Sequence, residues 1–175
     1  MYKTLVAYDR TLTVFLHDLI PHNSFFNDVF SFFSIYGFSI AVWLVLLLVV
    51  VILEERKNKK FIWYLLSSIG STFFFVEFVL KPFFARTRPV FLFKTFLTAC
   101  PTGFSFPSGH AAVAFAAATI FAFFDKKRFW LYYILSFLIA FSRIYLGCHY
   151  LVDTLAGAIV GIFVAKTLLK LFKKK

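Results

Sequence analysis

Long uncharged stretches dominate the pattern of apolar and polar positions along the chain. Residues 29–53 contain no charged side chain, and residues 61–80 contain only Glu77. A helix needs about 20 mainly apolar residues to cross a hydrocarbon core of about 30 Å. Both stretches are long enough, so the pattern predicts an integral membrane protein.

The same pattern divides most of the chain into helices joined by short connections. Five predicted spans cover residues 28–53, 61–81, 105–124, 129–147 and 150–171. The connections leave no room for a second domain, and no internal repeat is present. We therefore expect one all-α domain over residues 1–175, with a transmembrane helical bundle over residues 28–171.

The N-terminal segment, residues 1–22, is amphipathic rather than uniformly apolar. Its apolar side chains recur three or four residues apart, at Leu5, Tyr8, Leu12, Phe15 and Leu19. Its polar side chains, Asp9, Arg10, Thr13 and His17, face elsewhere. We predict a helix that lies in the membrane interface and ends at Pro21. The same helix could equally pack against the bundle.

Positive charge is concentrated in the connections at one end of the spans. The formal net charge is +11, although 61% of the residues are hydrophobic and only 15% are charged. The basic residues after the first and third spans are Arg56, Lys57, Lys59, Lys60, Lys126, Lys127 and Arg128, and those at the end of the chain are Lys166, Lys170, Lys173, Lys174 and Lys175. Such an excess marks the cytoplasmic side. We therefore predict a cytoplasmic C-terminus, an external N-terminus, and anionic lipid headgroups rather than nucleic acid as partners of these charges.

A second group of polar residues gathers at the opposite ends of the spans. They are Lys81, Arg88, Ser108, Gly109, His110, Arg143, His149 and Asp153. The second and fourth spans end on this side and the third and fifth begin there, so we expect all of these residues on one outer face. A charge at the bilayer centre costs about 2.5–3.5 kcal/mol on insertion scales and less at the interface. Such a concentration is typical of a functional site.

The cations of this group predict a site for phosphate. Lys81, Arg88 and Arg143 can donate short, strong hydrogen bonds to phosphoryl oxygens. Ser108 and Gly109 lie where a helix should begin, so their backbone amides and the helix dipole can face an anion.

The two histidines add catalytic chemistry to that site. His149 and Asp153 are four residues apart, so on a helix the carboxylate can orient the imidazole and leave its other nitrogen as a nucleophile. His110 can then protonate a leaving oxygen. Because Asp153 and Glu77 are the only nearby carboxylates, and Glu77 can pair with Lys81, we predict no metal ion and no other cofactor.

These residues also match a family signature in order and spacing. Lys81 is followed after six residues by Arg88-Pro89, then by Pro107-Ser108-Gly109-His110. Ser142-Arg143 is followed after five residues by His149 and after three more by Asp153. The set resembles the three-part signature of the type 2 phosphatidic acid phosphatase (PAP2) superfamily, which shares its core with vanadium haloperoxidases.

The resemblance implies a mechanism. His149 would attack phosphorus to form a phosphohistidine, oriented by Asp153, while His110 protonates the leaving group and then activates water. The phosphoryl oxygens would be held by Lys81, Arg88, Ser108, Gly109 and Arg143. Arg86 is not a signature position and receives no role.

The resemblance also implies a lipid phosphate substrate, reached from the outer face of a bacterial inner membrane. We expect a lipid A 1-phosphatase with overlapping activity on undecaprenyl pyrophosphate and phosphatidylglycerol phosphate. One alternative is an undecaprenyl pyrophosphate phosphatase proper, and another is a lipid phosphotransferase that uses the same phosphohistidine. A lipid-binding or lipid-moving protein is a third, but it has no use for a paired His149 and Asp153.

Two further features remain open at this level. Gly157 and Gly161 let a neighbouring helix approach closely, either within the bundle or in a dimer, so the oligomeric state is undetermined. Cys100 and Cys148 both fall on the predicted outer face, where an oxidising compartment would allow a disulfide, but the sequence does not give their distance.

Overall fold

The computed structural model describes residues 2–34, 59–89, 100 and 102–173, and all regular structure within these ranges is helical. The elements are α1 (Tyr2–Asp18), α2 (Ser24–Ser34), α3 (Lys59–Phe74), a π-helical segment (Phe75–Leu80), α4 (Lys81–Phe84), α5 (Gly109–Phe124), a 3-10 turn (Lys126–Arg128), α6 (Phe129–Tyr145) and α7 (Leu151–Lys173). The predicted second to fifth spans correspond to α3–α4, α5, α6 and α7. Most of the first predicted span, residues 28–53, lies outside the described residues.

Helix α5 forms the centre of the bundle and packs against α7, α6 and α3. Its buried side chains are mainly small, at Ala111, Ala112, Ala114, Ala116, Ala117 and Ala118. On the facing helix α7, a Cβ at Gly157 would collide with the carbonyl oxygen of Ser108, and one at Gly161 with that of Ala112. Both glycines therefore serve packing within the bundle, where they bring two helix backbones together.

The outer surface of the bundle is apolar. Exposed large side chains include Phe74, Ile134, Phe137, Ile159 and Phe163. Residues 60–84 and 151–172 form helices that are long and apolar enough to cross a membrane, and Gly109–Phe124 is a shorter apolar helix. The bundle therefore has small and polar residues inside and large apolar residues outside, and this arrangement suits a lipid environment.

The basic segments gather at one end of this bundle. The ring of Phe61 contacts those of Phe121 and Phe124, and the ring of Tyr64 contacts those of Phe124 and Phe172. These contacts place the start of α3, the end of α5 and the end of α7 together, and with them the described cations Lys60, Lys126, Arg128 and Lys170. The cytoplasmic placement of this end remains a prediction.

Helix α1 packs on the bundle through its polar face. Asp9 and Thr13 are buried against α7, whereas the apolar positions Leu5, Tyr8, Leu12, Phe15 and Leu19 are exposed. This helix covers Tyr2–Asp18 and ends before Pro21, where the sequence predicted its end. Its polar side is bound to protein and its apolar side is left for another environment. That this environment is the membrane interface remains a prediction.

Candidate active site

The polar residues predicted from the sequence meet where α4 and α6 end and where α5 and α7 begin. Arg88 Nη1 lies 2.9 Å from Nε2 of His149, and the amide of Ser108 donates to the carbonyl oxygen of Asp153 at 2.9 Å. The amide of His149 donates to the carbonyl oxygen of Arg143 at 3.2 Å. Three separate segments of the signature thus lie against one another.

His149 lies in the turn before α7 and is 1% exposed. Since an arginine only donates hydrogen bonds, the ring nitrogen that faces Arg88 must be the unprotonated one, and Nδ1 carries the proton. Burial, together with the positive charges of Arg88, Arg143 and Lys81, holds the pKa of His149 well below its ordinary value of 6.5. The imidazole is therefore neutral near pH 7, with the Nε2 lone pair directed into a positively charged site.

Arg88 is fixed from several directions. Its Nε donates to the carbonyl of Gly103 at 3.2 Å, its Nη2 to that of Phe104 at 3.1 Å, and its Nη1 to that of Cys148 at 3.0 Å. The residue is 7% exposed. A guanidinium held by three backbone carbonyls keeps a set orientation, so it can present its charge beside Nε2 without reorganisation.

A disulfide between Cys100 and Cys148 ties this region together, with the two Cα atoms 5.4 Å apart. It joins Cys100, which precedes residues 107–110 of the signature, to Cys148, the residue directly before His149. The pairing that the sequence left open is therefore present in the structure.

Lys81 and Glu77 form an ion pair beside the start of α5. Lys81 Nζ lies 2.6 Å from Glu77 Oε1, as their four-residue spacing predicted. Glu77 belongs to the π-helical segment, a form of helix that is frequent at functional sites. A Cβ added at Gly109 would lie 2.6 Å from Glu77 Oε1, so a larger residue here would displace the Glu77 carboxylate from its present position.

Ser108 immediately precedes α5, and its backbone amide is not directed as predicted. The amide donates to the carbonyl oxygen of Asp153, and the hydroxyl lies 3.5 Å from the amide of Ala111 as an N-terminal cap. The prediction that this amide faces an anion is therefore wrong, because close packing of α7 on α5 makes Asp153 its partner. The hydroxyl of Ser108 and the amide of Gly109 remain candidate phosphate ligands.

His110 and Arg143 complete the group. His110, in the first turn of α5, interacts electrostatically with Arg143, His149, Lys81 and Arg88. Arg143 is 2% exposed and accepts two hydrogen bonds at its carbonyl oxygen, from the amides of Cys148 and His149. The predicted general acid and the predicted nucleophile therefore share one cationic site.

Asp153 is linked to His149 more loosely than the spacing predicted. His149 precedes α7 rather than lying on it, and its Nδ1 is 3.5 Å from Asp153 Oδ2. Oδ2 accepts the amide of Tyr150 at 3.0 Å, and Oδ1 accepts Arg86 Nη1 at 2.7 Å. The carboxylate thus caps the start of α7 and faces the imidazole at the same time.

Sequence reasoning missed two residues of this network, Arg86 and Asp9. Arg86 bridges Asp153 and Asp9, with Nη2 2.6 Å from Asp9 Oδ2. The available signal was physical: a cation and a carboxylate in apolar surroundings each need a partner. The sequence could not show that the partner of Arg86 would come from the N-terminal helix.

Among residues 2–34, 59–89, 100 and 102–173, one group of side chains has the spacing to hold a metal ion, and none of the predicted site residues belongs to it. That cluster consists of His17, Asp18 and His22, between α1 and α2. The expectation of chemistry without a metal therefore stays a prediction.

Two solved structures share this fold. A crystal structure of LpxE from Aquifex aeolicus matches with a TM-score of 0.68 and 29% sequence identity, covering 91% of this chain and 93% of that one. A PAP2-type phosphatidylglycerolphosphate phosphatase from Bacillus subtilis matches with a TM-score of 0.75 and 20% identity, covering 98% and 87%. The second likeness shows the fold alone.

Curated relatives match over parts of their length. The bacitracin transport permease protein BcrC of Bacillus licheniformis is 41% identical over 35% of this chain and 30% of its own length. The undecaprenyl-diphosphatase BcrC of Bacillus subtilis is 28% identical over 85% and 76%. A lipid A 4'-phosphatase of Bacteroides thetaiotaomicron is 43% identical over 35% and 28%.

A protein-family model described as the PAP2 superfamily matches residues 61–175. That range contains Lys81, Arg88, His110, His149 and Asp153, the residues that the fold brings together. The chain therefore belongs to the PAP2 superfamily.

Proposed function

We propose that the protein is a membrane lipid phosphatase that works without a metal ion through a phosphohistidine at His149. The observation that carries this proposal is the unprotonated Nε2 of the neutral His149 imidazole, which lies 2.9 Å from the fixed guanidinium of Arg88 in a buried cationic site. A lone pair beside several cations suits attack on an electrophile that brings its own negative charge, as a phosphoryl group does.

The positions of the groups support the following reaction. Nε2 of His149 forms a bond to phosphorus as the bond from phosphorus to the leaving oxygen breaks, and His110 gives its proton to that oxygen. Lys81, Arg88 and Arg143 stabilise the charge on the phosphoryl oxygens, and Asp153 stabilises the imidazolium through Nδ1. Water then attacks phosphorus, His110 takes its proton, and inorganic phosphate leaves with His149 restored.

A lipid substrate is supported by the apolar outer surface of the bundle. A tail can stay in the bilayer while the headgroup enters a site at the ends of the helices. We propose that this end faces the periplasm and that lipid A 1-phosphate is the main substrate, with overlapping use of phosphatidylglycerol phosphate. Undecaprenyl pyrophosphate is a specific second candidate, because the Bacillus subtilis relative that matches 85% of this chain is named for that activity.

Phosphate release from a lipid panel tests this proposal. The purified protein, in mild detergent with EDTA, is given lipid A, undecaprenyl pyrophosphate, phosphatidylglycerol phosphate and phosphatidic acid. We expect release from at least one lipid and inhibition by vanadate, and the ranking identifies the substrate. Loss of activity in EDTA with recovery on adding a divalent metal would contradict the mechanism. Labelled phosphoryl transfer to a second lipid without phosphate release would establish the phosphotransferase alternative.

A further inference from the structure

Helix α1 lies outside the residues that match the family model, yet its polar face reaches the candidate active site. Asp9 is 7% exposed, although it belongs to a helix whose apolar face is open. Its carboxylate makes two contacts: Oδ2 with Arg86 Nη2 at 2.6 Å, and Oδ1 with the amide of Val152 at 3.1 Å. A buried carboxylate with two such partners has a defined structural task.

Arg86 carries this contact onward to Asp153. The two terminal nitrogens of its guanidinium are divided between two carboxylates, Asp9 on one side and Asp153 on the other, at 2.6 and 2.7 Å. The plane is also covered by the ring of Tyr150, with Cζ 3.9 Å from the ring centroid. Ala85, immediately before Arg86, has a φ of 47°, a left-handed conformation that is uncommon for a residue with a side chain. The backbone thus holds an unfavourable turn at the point where Arg86 enters the network.

Helix α1 also completes the first turn of α7. The first amides of a helix lack partners within it. Here the amide of Leu151 donates to Thr13 Oγ1 at 2.9 Å, and the amide of Val152 donates to Asp9 Oδ1. The amide of Tyr150 donates to Oδ2 of Asp153. Two residues of another helix therefore cap the start of α7, directly beside His149.

We propose that Asp9 and Arg86 are positioning residues that hold Asp153, and through it His149 in its Nδ1-protonated form. With Oδ1 of Asp153 bound to Arg86, Oδ2 is the oxygen that faces Nδ1 of His149, which leaves Nε2 as the attacking atom. The N-terminal helix is then a working part of the active site rather than a membrane attachment alone. This inference rests on the proposed function and adds a task for a segment outside the family match.

The test compares Asp9→Asn and Arg86→Lys with Asp18→Asn. Asp9→Asn keeps an oxygen for the amide of Val152 but loses the negative charge that holds Arg86. Arg86→Lys keeps the positive charge but loses the guanidinium, whose two terminal nitrogens contact Asp9 and Asp153 at once. Asp18→Asn is the matched control, because it removes the same charge from the same helix at a side chain that is 65% exposed. Because small misplacements of reacting groups are costly, we expect kcat to fall about ten- to a hundredfold in the first two variants, with KM nearly unchanged. The control should behave as the wild type.

A double variant adds a second check. If Asp9 acts through Arg86, Asp9→Asn should have little further effect on kcat once Arg86→Lys is present. A full additional loss in the double variant would overturn the proposal.

A measurement that needs no turnover separates this proposal from the proposed function. The nitrogen signals of His149 in protein labelled at histidine report which ring nitrogen is protonated, and His149→Asn identifies them among the four histidines. We expect the Nδ1-protonated form in the wild type and a shift towards the other tautomer in Asp9→Asn and Arg86→Lys. Wild-type protein that hydrolyses no lipid phosphate would end the proposed function, while this shift would still support the positioning role. Unchanged signals together with kcat within about twofold of an active wild type would overturn the positioning role alone.

Discussion

The contact between α5 and α7 gives a sharp prediction about stability. Gly161→Ala places a methyl group against the carbonyl oxygen of Ala112, with the carbonyl carbon at 2.9 Å and the amide nitrogen of Ala116 at 3.0 Å. These are all backbone atoms, so no side chain can move aside and the two helices must separate. Overpacking of this kind costs about 1–3 kcal/mol.

Gly70→Ala is the matched control, because nothing lies within 4 Å of a Cβ at that position of α3. Both substitutions gain about 1 kcal/mol of helix propensity, so the difference between the two variants isolates the contact. For a chain of this size, about 1–3 kcal/mol corresponds to a Tm about 2–12 °C lower for Gly161→Ala than for Gly70→Ala.

Thermal unfolding of the two variants in the same detergent measures this difference. Gly161→Ala should also lose activity per folded molecule, since separation of α5 from α7 weakens the bond between the Ser108 amide and the Asp153 carbonyl. A Tm for Gly161→Ala equal to or above that of Gly70→Ala would refute the close crossing of the two helices.

Three other predictions follow from the site. The folded-state pKa of His149 lies well below 6.5, so as the pH falls the unfolded chain binds a proton at His149 before the folded protein does, and the stability that His149 contributes above about pH 6.5 is lost. The Tm of the wild type, measured relative to that of His149→Gln, should therefore decrease between about pH 7.5 and pH 5. A constant difference would argue against a buried neutral imidazole. The Cys100–Cys148 disulfide links residues 48 positions apart and stabilises the folded protein by about 4 kcal/mol in the chain-entropy model. Reduction by dithiothreitol should therefore lower the Tm of the wild type but not that of Cys100→Ser. Arg88→Lys keeps the charge but cannot satisfy the carbonyls of Gly103, Phe104 and Cys148 together, so kcat should fall about a hundredfold or more, and near-normal turnover would show that fixed geometry is not needed.

The sequence predicts which polar residues lie together where helix ends decide the outcome. Lys81, Arg88, His110, Arg143 and His149 meet because alternate spans must begin or end on one side of a bundle, which hydrophobic length alone implies. The choice of partner atoms is less predictable. The Ser108 amide could serve an anion or another helix, and only the spacing of α5 and α7 decides between them.

Long-range polar contacts lie further beyond sequence reasoning. Arg86 and Asp9 are 77 positions apart, and no periodicity relates them. The polar stripe of α1 was visible, but an amphipathic helix can turn its polar side to water or to protein. The buried partners on α7, which the sequence does not reveal, determine the second arrangement.

The most direct test of the account is the activity of His149→Asn, measured per folded molecule on the lipid that ranks first for the wild type. Asparagine keeps much of the shape of the side chain but cannot attack phosphorus. We predict that phosphate release falls to the uncatalysed level, and that wild-type protein quenched during turnover under alkaline conditions carries phosphate on the peptide that contains His149. Turnover by His149→Asn at a rate near that of the wild type would contradict the central role of this residue.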